Sequence, residues 1–226
     1  GMDVPALRAG IARIGERPFD SERKRMSTVH APLGPDAPSA LAGLEQTMPI
    51  AFVKGAVDGL VEHTDAVWDG DGPVAFSDVW RQRVLDANND MAAQGMRVLG
   101  IAYRTLPDAD VVADLVVDAE HDLTLLGLVG IIDPPRPEVR DAVATCQAAG
   151  IRTVMITGDH PLTAKAIAAD LGILSGGSAL TGADLDHLDA DGLGAVVASN
   201  SVFARVSPEH KLRIVEALQN QGAVVA

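Results

Sequence analysis

Residues 150–173, GIRTVMITGDHPLTAKAIAADLGI, constrain the fold more tightly than any other stretch. An apolar, β-branched strand from Arg152 to Thr157 ends in Thr157-Gly158-Asp159 and turns at once into a helix opening at Pro161. A strand of that composition is expected to be buried on both faces, as in the sheet of an α/β protein. Its tip has a different chemistry. Thr157 offers a hydroxyl, Gly158 permits a close approach to the backbone, and the start of the helix supplies unpaired N–H groups and the positive end of its dipole. Such a tip suits an anion.

The surrounding chain repeats the strand-helix alternation. Leu123 to Ile132 is expected to be a strand, and Pro137 to Ala149 a helix with Val139, Ala142, Val143 and Cys146 on one stripe and Gly150 as its stop. After the strand at 152–157 come a helix from Pro161 to Leu171, a strand from Ser201 to Val206, a helix from Pro208 to Gln219 and a terminal strand, Ala223 to Ala226. This series predicts a doubly wound parallel sheet. Before residue 122 the pattern differs: short strands at Arg25–His30, Ile50–Lys54 and Met96–Arg104 are separated by a proline-rich loop and a turn-rich stretch, Trp68 to Pro73. One helix there is well marked, with Ser77 as cap, Trp80, Val84 and Met91 broadly on one face, and Gly95 as its end. The expected division is therefore 1–122 and 123–226.

Composition narrows the function classes. A chain of 226 residues that is 47% hydrophobic has ample material for a core. A formal net charge of −13 argues against nucleic acid and against anionic membrane surfaces, although a small anion can still meet a local basic patch. The single cysteine, Cys146, excludes an intrachain disulfide and fits a reducing compartment. No secretory signal is expected, and the longest apolar run, Leu123 to Ile132, is about half the roughly 20 residues of a membrane helix, so the chain is expected to be soluble.

Five segments carry possible chemistry, and each has an ordinary competitor. Phe19-Asp20-Ser21-Glu22-Arg23-Lys24-Arg25-Met26 could stack a purine and hold its phosphates, or be a solvated charge run in an exposed turn. In Phe52-Val53-Lys54-Gly55-Ala56 a strand delivers a lysine beside a glycine, which suits a nucleotide but is equally common on a sheet edge. Arg97 opens a strand and could face a phosphate or pair with an acid. Asp133-Pro134-Pro135-Arg136-Pro137 is a stiff connector, either a hinge or a plain strand-to-helix turn. In the fifth, Ser207 caps a helix, Pro208 opens it, and Lys211 lies in the first turn, where the dipole disfavours a cation. A residue that opposes a local rule in this way marks a functional position more often than not, the ordinary competitor being a lysine that pairs with a nearby acid and supports packing.

Six stretches in order, FDSERKRMSTV, FVKGA, GMRVLGIAYR, GLVGIIDPPRPEVRDAV, AGIRTVMITGDHPLTAKAIA and FARVSPEHKLRIVEALQ, resemble the cation-transporting P-type ATPases, the branch of calcium and sodium/potassium pumps. The resemblance covers nearly the whole chain. It implies that 1–122 is similar to the later part of a nucleotide-binding domain, an antiparallel sheet with helices. It likewise implies that 123–226 is similar to the middle of a haloacid-dehalogenase-type phosphorylation domain. By position, Phe19 is expected to stack on adenine, Lys24, Lys54, Gly55 and Ala56 to line the pocket, and Arg97 to reach the phosphates of ATP. Asp133 and Arg136 are expected at the interdomain hinge. Thr157, Gly158 and Asp159 are expected to hold the phosphoryl group while Lys211 neutralises its charge. His160 stands where the family pattern T-G-D-N has its fourth residue, but the first three carry the contacts.

The family's D-K-T-G-T and G-D-G-x-N-D segments, which hold the phosphorylated aspartate and the magnesium ligands, do not occur in these 226 residues. The expectation is an excerpt of a calcium-like pump, inactive alone and with no metal ligands of its own, whose Mg2+ belongs to the full-length protein. Its partners would be ATP and the pump's actuator and membrane domains, and its place the cytoplasmic face of a membrane. Two alternatives remain: a phosphatase of the haloacid-dehalogenase type, and a stand-alone, non-catalytic nucleotide-binding module.

Overall fold

The computed structural model describes residues 11–33, 44, 47–106, 119–132, 134–174 and 178–226. The chain forms two compact units, one of the described residues up to Asn88 with Val98–Val129, the other of Asn89–Arg97 with Gly130–Ala226.

In the first unit, strand β2 (Arg25–His30) alternates buried Ser27 and Val29 with half-buried Met26, Thr28 and His30, the period-two pattern of a sheet packed more heavily on one face. It pairs antiparallel with β1 (Arg13–Asp20) and with β3 (Ile50–Gly55), placing Ser27 opposite Val53 and Arg25 opposite Gly55. Strand β3 pairs antiparallel with β6 (Arg97–Thr105). Strands β4 (Thr64–Trp68), β5 (Pro73–Ala75) and β7 (Leu123–Ile131) complete a sheet of order β1-β2-β3-β6-β7-β4-β5. Strands β4 and β5 form a hairpin, and β7 runs parallel to β4. Helices α1 (Val57–Val61) and α2 (Asp78–Ala93) supply Val57, Leu60, Val61 and Val84 to a core with Val53, Val67, Ala102, Leu123 and Leu125 from the sheet. As expected, the Ser77 hydroxyl accepts the Trp80 amide at 3.4 Å, and Gly95, at φ 81°, ends the helical run.

The second unit is built on a parallel sheet of order β8-β10-β9, formed by β8 (Met155–Ile156), β9 (Leu180–Thr181) and β10 (Val202–Ala204). Its helices are α3 (Pro137–Ala148), α4 (Pro161–Asp170), α5 (Gly182–Asp186), α6 (Ala190–Ser199) and α7 (Pro208–Asn220). All of β10 is inaccessible to solvent. Val202 and Ala204 join a cluster with Val143 of α3 and Ala164 and Ala168 of α4, whereas Phe203 joins Leu193 and Val197 of α6 and Ile214 and Ala217 of α7. Alternate residues of one strand thus serve two apolar clusters, which is why the strand has no polar position. The segment 89–97 belongs to this unit partly through Thr163, whose buried hydroxyl donates to the Met96 carbonyl at 2.7 Å.

Several expectations are corrected. The strand placed at Arg152–Thr157 shrinks to Met155–Ile156, half-buried at a sheet edge. The cause is Arg152: its guanidinium caps the end of α6, donating to the carbonyls of Val197 at 2.7 Å and Ala198 at 3.1 Å and also to that of Asn200. The strand beginning at Leu123 enters the larger sheet and not the parallel one, because its start is registered on β4, with Leu123 opposite Thr64. Among the described residues Ala223–Ala226 makes no strand pairing, and Ala142, expected on the buried stripe of α3, is exposed. Strands β1, β4, β5 and β9 and helices α1, α5 and α6 were not anticipated.

Candidate functional site

Of the residues expected around a nucleotide, Phe19, Lys24, Lys54, Gly55 and Ala56 lie at one corner of the larger sheet, and Arg97 does not. Strand β1 ends at Phe19-Asp20, residues Ser21–Lys24 form a turn, and β2 returns from Arg25. An Asp20 carboxylate oxygen accepts the amides of Glu22 and Arg23, each at 2.9 Å. These backbone bonds organise the turn and hold the Asp20 carboxyl below the usual aspartate range. Lys24 lies in the left-handed region at φ 52°, its amide donating to the Asp20 carbonyl at 2.7 Å. The Lys24 carbonyl accepts the Ala56 amide at 3.0 Å. The turn bearing Phe19 and Lys24 is therefore joined to the Lys54-Gly55-Ala56 corner, where β3 gives way to α1.

Gly55 is what lets the two approach. A Cβ there would lie 2.5 Å from Arg25 Cβ and 2.8 Å from the Lys24 carbonyl oxygen, far inside contact distance. Lys54 points away from the buried positions Val53 and Gly55 and is exposed. Phe19 is 61% exposed, a large open apolar area at the end of β1.

The basic run is not a solvated charge cluster. The carboxylate of Glu120, itself buried, accepts Arg23 Nη1 at 2.6 Å, Arg25 Nε at 2.9 Å, the Ser27 hydroxyl at 3.2 Å and Arg17 Nη1 at 3.3 Å. Burial pushes the Glu120 carboxyl up, but the Arg23 hydrogen bond and the charges of Arg23 and Arg17, with the Arg25 bond, outweigh it and leave it below the usual glutamate range. Glu120 carried no sequence signal, because its partners stand 93–103 residues away.

A second group forms at the C-terminal ends of the parallel strands, all within the second unit. The Thr157 amide donates to the Phe203 carbonyl at 2.9 Å, and the Arg205 amide donates to the Asp159 carbonyl at 3.2 Å, laying 157–159 beside the loop that leads to α7. Arg97 Nε lies 3.6 Å from Asp159 Oδ1, so Arg97 joins this group. Among the described residues, nothing but its own chain neighbours lies within 4 Å of where a Gly158 Cβ would be. The helix start is less open than expected: Pro161 has no N–H, and the Leu162 amide donates to His160 Nδ1 at 3.3 Å. His160 thus caps α4. Ser207 caps α7, Lys211 lies in its first turn, and the Lys211 side chain is exposed with no ion pair among the described residues. Arg136 is exposed at the N-cap of α3, and Asp133 lies outside the described residues.

Among the described residues, no helix is long and apolar enough to cross a membrane, and no group of three His, Cys, Asp or Glu could hold a metal ion.

A family model described as the P-type ATPase cytoplasmic domain N matches residues 1–138. The chain is similar to the calcium-transporting ATPase of Bacillus subtilis, 41% identical over all of this chain and 24% of that protein. It is also similar to calcium-transporting ATPase 1 of Lactococcus lactis, 41% identical over all of this chain and 24% of that protein. Calcium-transporting ATPase 1 of Saccharomyces cerevisiae is 34% identical over all of this chain and 23% of its own length. The chain therefore spans about a quarter of the curated relatives it matches.

Proposed function

Because the chain belongs to the cation-transporting P-type ATPase family, we propose that its first unit receives ATP at the corner formed by the 19–26 turn and the end of β3. The observation that carries this is the Ala56 N–H to Lys24 carbonyl bond, which joins the aromatic and first lysine to the second lysine and its glycine. In this assignment Phe19 offers its exposed face to adenine, Lys24 and Lys54 offer cations, and the bare backbone of Gly55 and Ala56 admits the ligand.

The second group, within the second unit, would hold a phosphoryl group. Phosphoryl transfer needs positioned donors and cations around the equatorial oxygens more than covalent work by the protein. The Thr157 hydroxyl, the open backbone at Gly158, Arg97 and Lys211 offer such a set, with Asp159 holding the Thr157 hydroxyl and Arg97 in place. The described residues provide no fitting donor set for magnesium. In the whole protein, this portion would couple ATP hydrolysis to cation transport together with the remaining domains of the pump, and the names of its relatives favour calcium.

Calorimetric titration of ATP tests the assignment. Binding is expected to weaken several-fold on Phe19→Ala and on Lys54→Ala with thermal stability retained. Unchanged affinity in both variants would overturn it.

A further inference from the structure

Lys24 sits between two arginines whose guanidinium groups pair with one buried carboxylate. Arg23 and Arg25 both turn inward to Glu120, together with Arg17 from β1 and Ser27 from β2. Arg23 also donates through Nη2 to the Pro18 carbonyl at 2.9 Å, the residue before Phe19. Glu120 is fixed in turn. Beside it, Ala119 is fully buried, Arg104 Nη1 lies 2.9 Å from His121 Nε2, and Arg104 Nη2 lies 3.4 Å from Asp122 Oδ2.

We propose that Glu120 is a positioning residue for the nucleotide turn, an inference that rests on the ATP assignment above. By collecting Arg17, Arg23 and Arg25 on one buried carboxylate, it fixes the residues on both sides of Lys24. A non-glycine residue is uncommon in the left-handed region and persists there only where its surroundings over-determine it. The Glu120 clamp supplies that constraint, and through Arg23 it also fixes the backbone that presents Phe19. A second effect follows from charge. Three arginines released beside the turn would compete with Lys24 for the phosphates in many geometries, whereas the clamp leaves Lys24 as the cation the turn presents. Truncating one partner of a buried ion-pair network leaves the others uncompensated, so the geometry of the turn depends on all of its members.

The test uses the 226-residue chain with ATP as probe, in wild type, Glu120→Gln and Arg23→Gln, the last altering a more exposed position in case the first fails to fold. Each protein is titrated by calorimetry, and the carbon chemical shifts of Lys24, which report a positive φ, are recorded without ligand. The expected result is an ATP affinity reduced about tenfold in Glu120→Gln and less in Arg23→Gln. The left-handed signature of Lys24 should be lost in step, with the second unit's spectrum unchanged. If Phe19→Ala weakens ATP but neither clamp variant does, this inference falls and the nucleotide assignment stands. Affinity lost with the Lys24 signature intact also overturns it. If wild-type signals at Phe19, Lys24 and Gly55 ignore ATP, both fall.

Discussion

The Thr157 hydroxyl donates to a carboxylate oxygen of Asp159 at 2.8 Å and accepts the Asp159 amide at 3.1 Å, so two residues of the strand tip are committed to each other. A phosphoryl oxygen arriving there must draw that hydroxyl away from Asp159. Thr157→Val keeps the branched shape and removes the exchange. The expected cost is about 1 kcal/mol, a fall in Tm of roughly 2–4 °C by calorimetry. No change in Tm would show that water replaces the hydroxyl without loss.

Acid should loosen the first unit through Glu120. Its carboxyl titrates below the ordinary value of 4.5 in the folded chain, so its contribution is fully present above that value and is lost as pH falls through the lower, folded one. Wild type and Glu120→Gln should therefore differ most in urea midpoint at neutral pH and converge from about pH 4 downward. Parallel curves across the range would mean that the arginines do not hold the Glu120 carboxyl down.

Two glycines should respond oppositely to alanine. Gly55→Ala forces a Cβ against Arg25 and the Lys24 backbone, and overpacking of this kind costs about 1–3 kcal/mol. Gly158→Ala meets open space and should leave the urea midpoint unchanged while reducing any anion affinity at the strand tip. A stable Gly55→Ala with normal ATP binding would remove the reason for glycine at that corner.

Lys211 stands in the first turn of a helix already capped by Ser207, exposed and opposed by the dipole. Lys211→Glu should leave Tm equal or raise it by about 1–2 °C. In the full-length protein the same change should strongly depress phosphoenzyme formation. A clear loss of Tm with normal phosphorylation would assign the lysine to packing.

Elements with strong end signals were legible in the sequence. Helices α2, α4 and α7 begin and end within two residues of the positions set by their serine, proline and glycine punctuation. Strands β2, β3 and β6 followed from short apolar runs. Strand β1 was not legible, because its largely exposed residues, with Pro18 and two register shifts, carry no periodic pattern. Helices α5 and α6 hid in a stretch rich in glycine and aspartate, although Thr181 with Asp184 forms a capping box and Asp189 caps α6, signals that local chemistry does offer. The corner at Phe19, Lys24 and Lys54 was named from motifs, while its buried anion was not. Glu120 reads locally as one more surface acid until the ladder brings Arg17, Arg23 and Arg25 to it.

The order in which the larger sheet is synthesised differs from the order in which it is assembled. Strand β7 lies between β6 and β4, so among the described residues the β4–β5 hairpin joins the other strands only through a segment made much later, with Thr64 waiting for Leu123. Until β7 leaves the ribosome, a four-stranded antiparallel piece and an unattached hairpin present open edges. Closure of the sheet by such a distant insertion is slow on general grounds of contact order. The nascent chain is therefore most exposed to aggregation after β6 has formed and before β7 arrives, and a chaperone that covers strand edges would act in that interval.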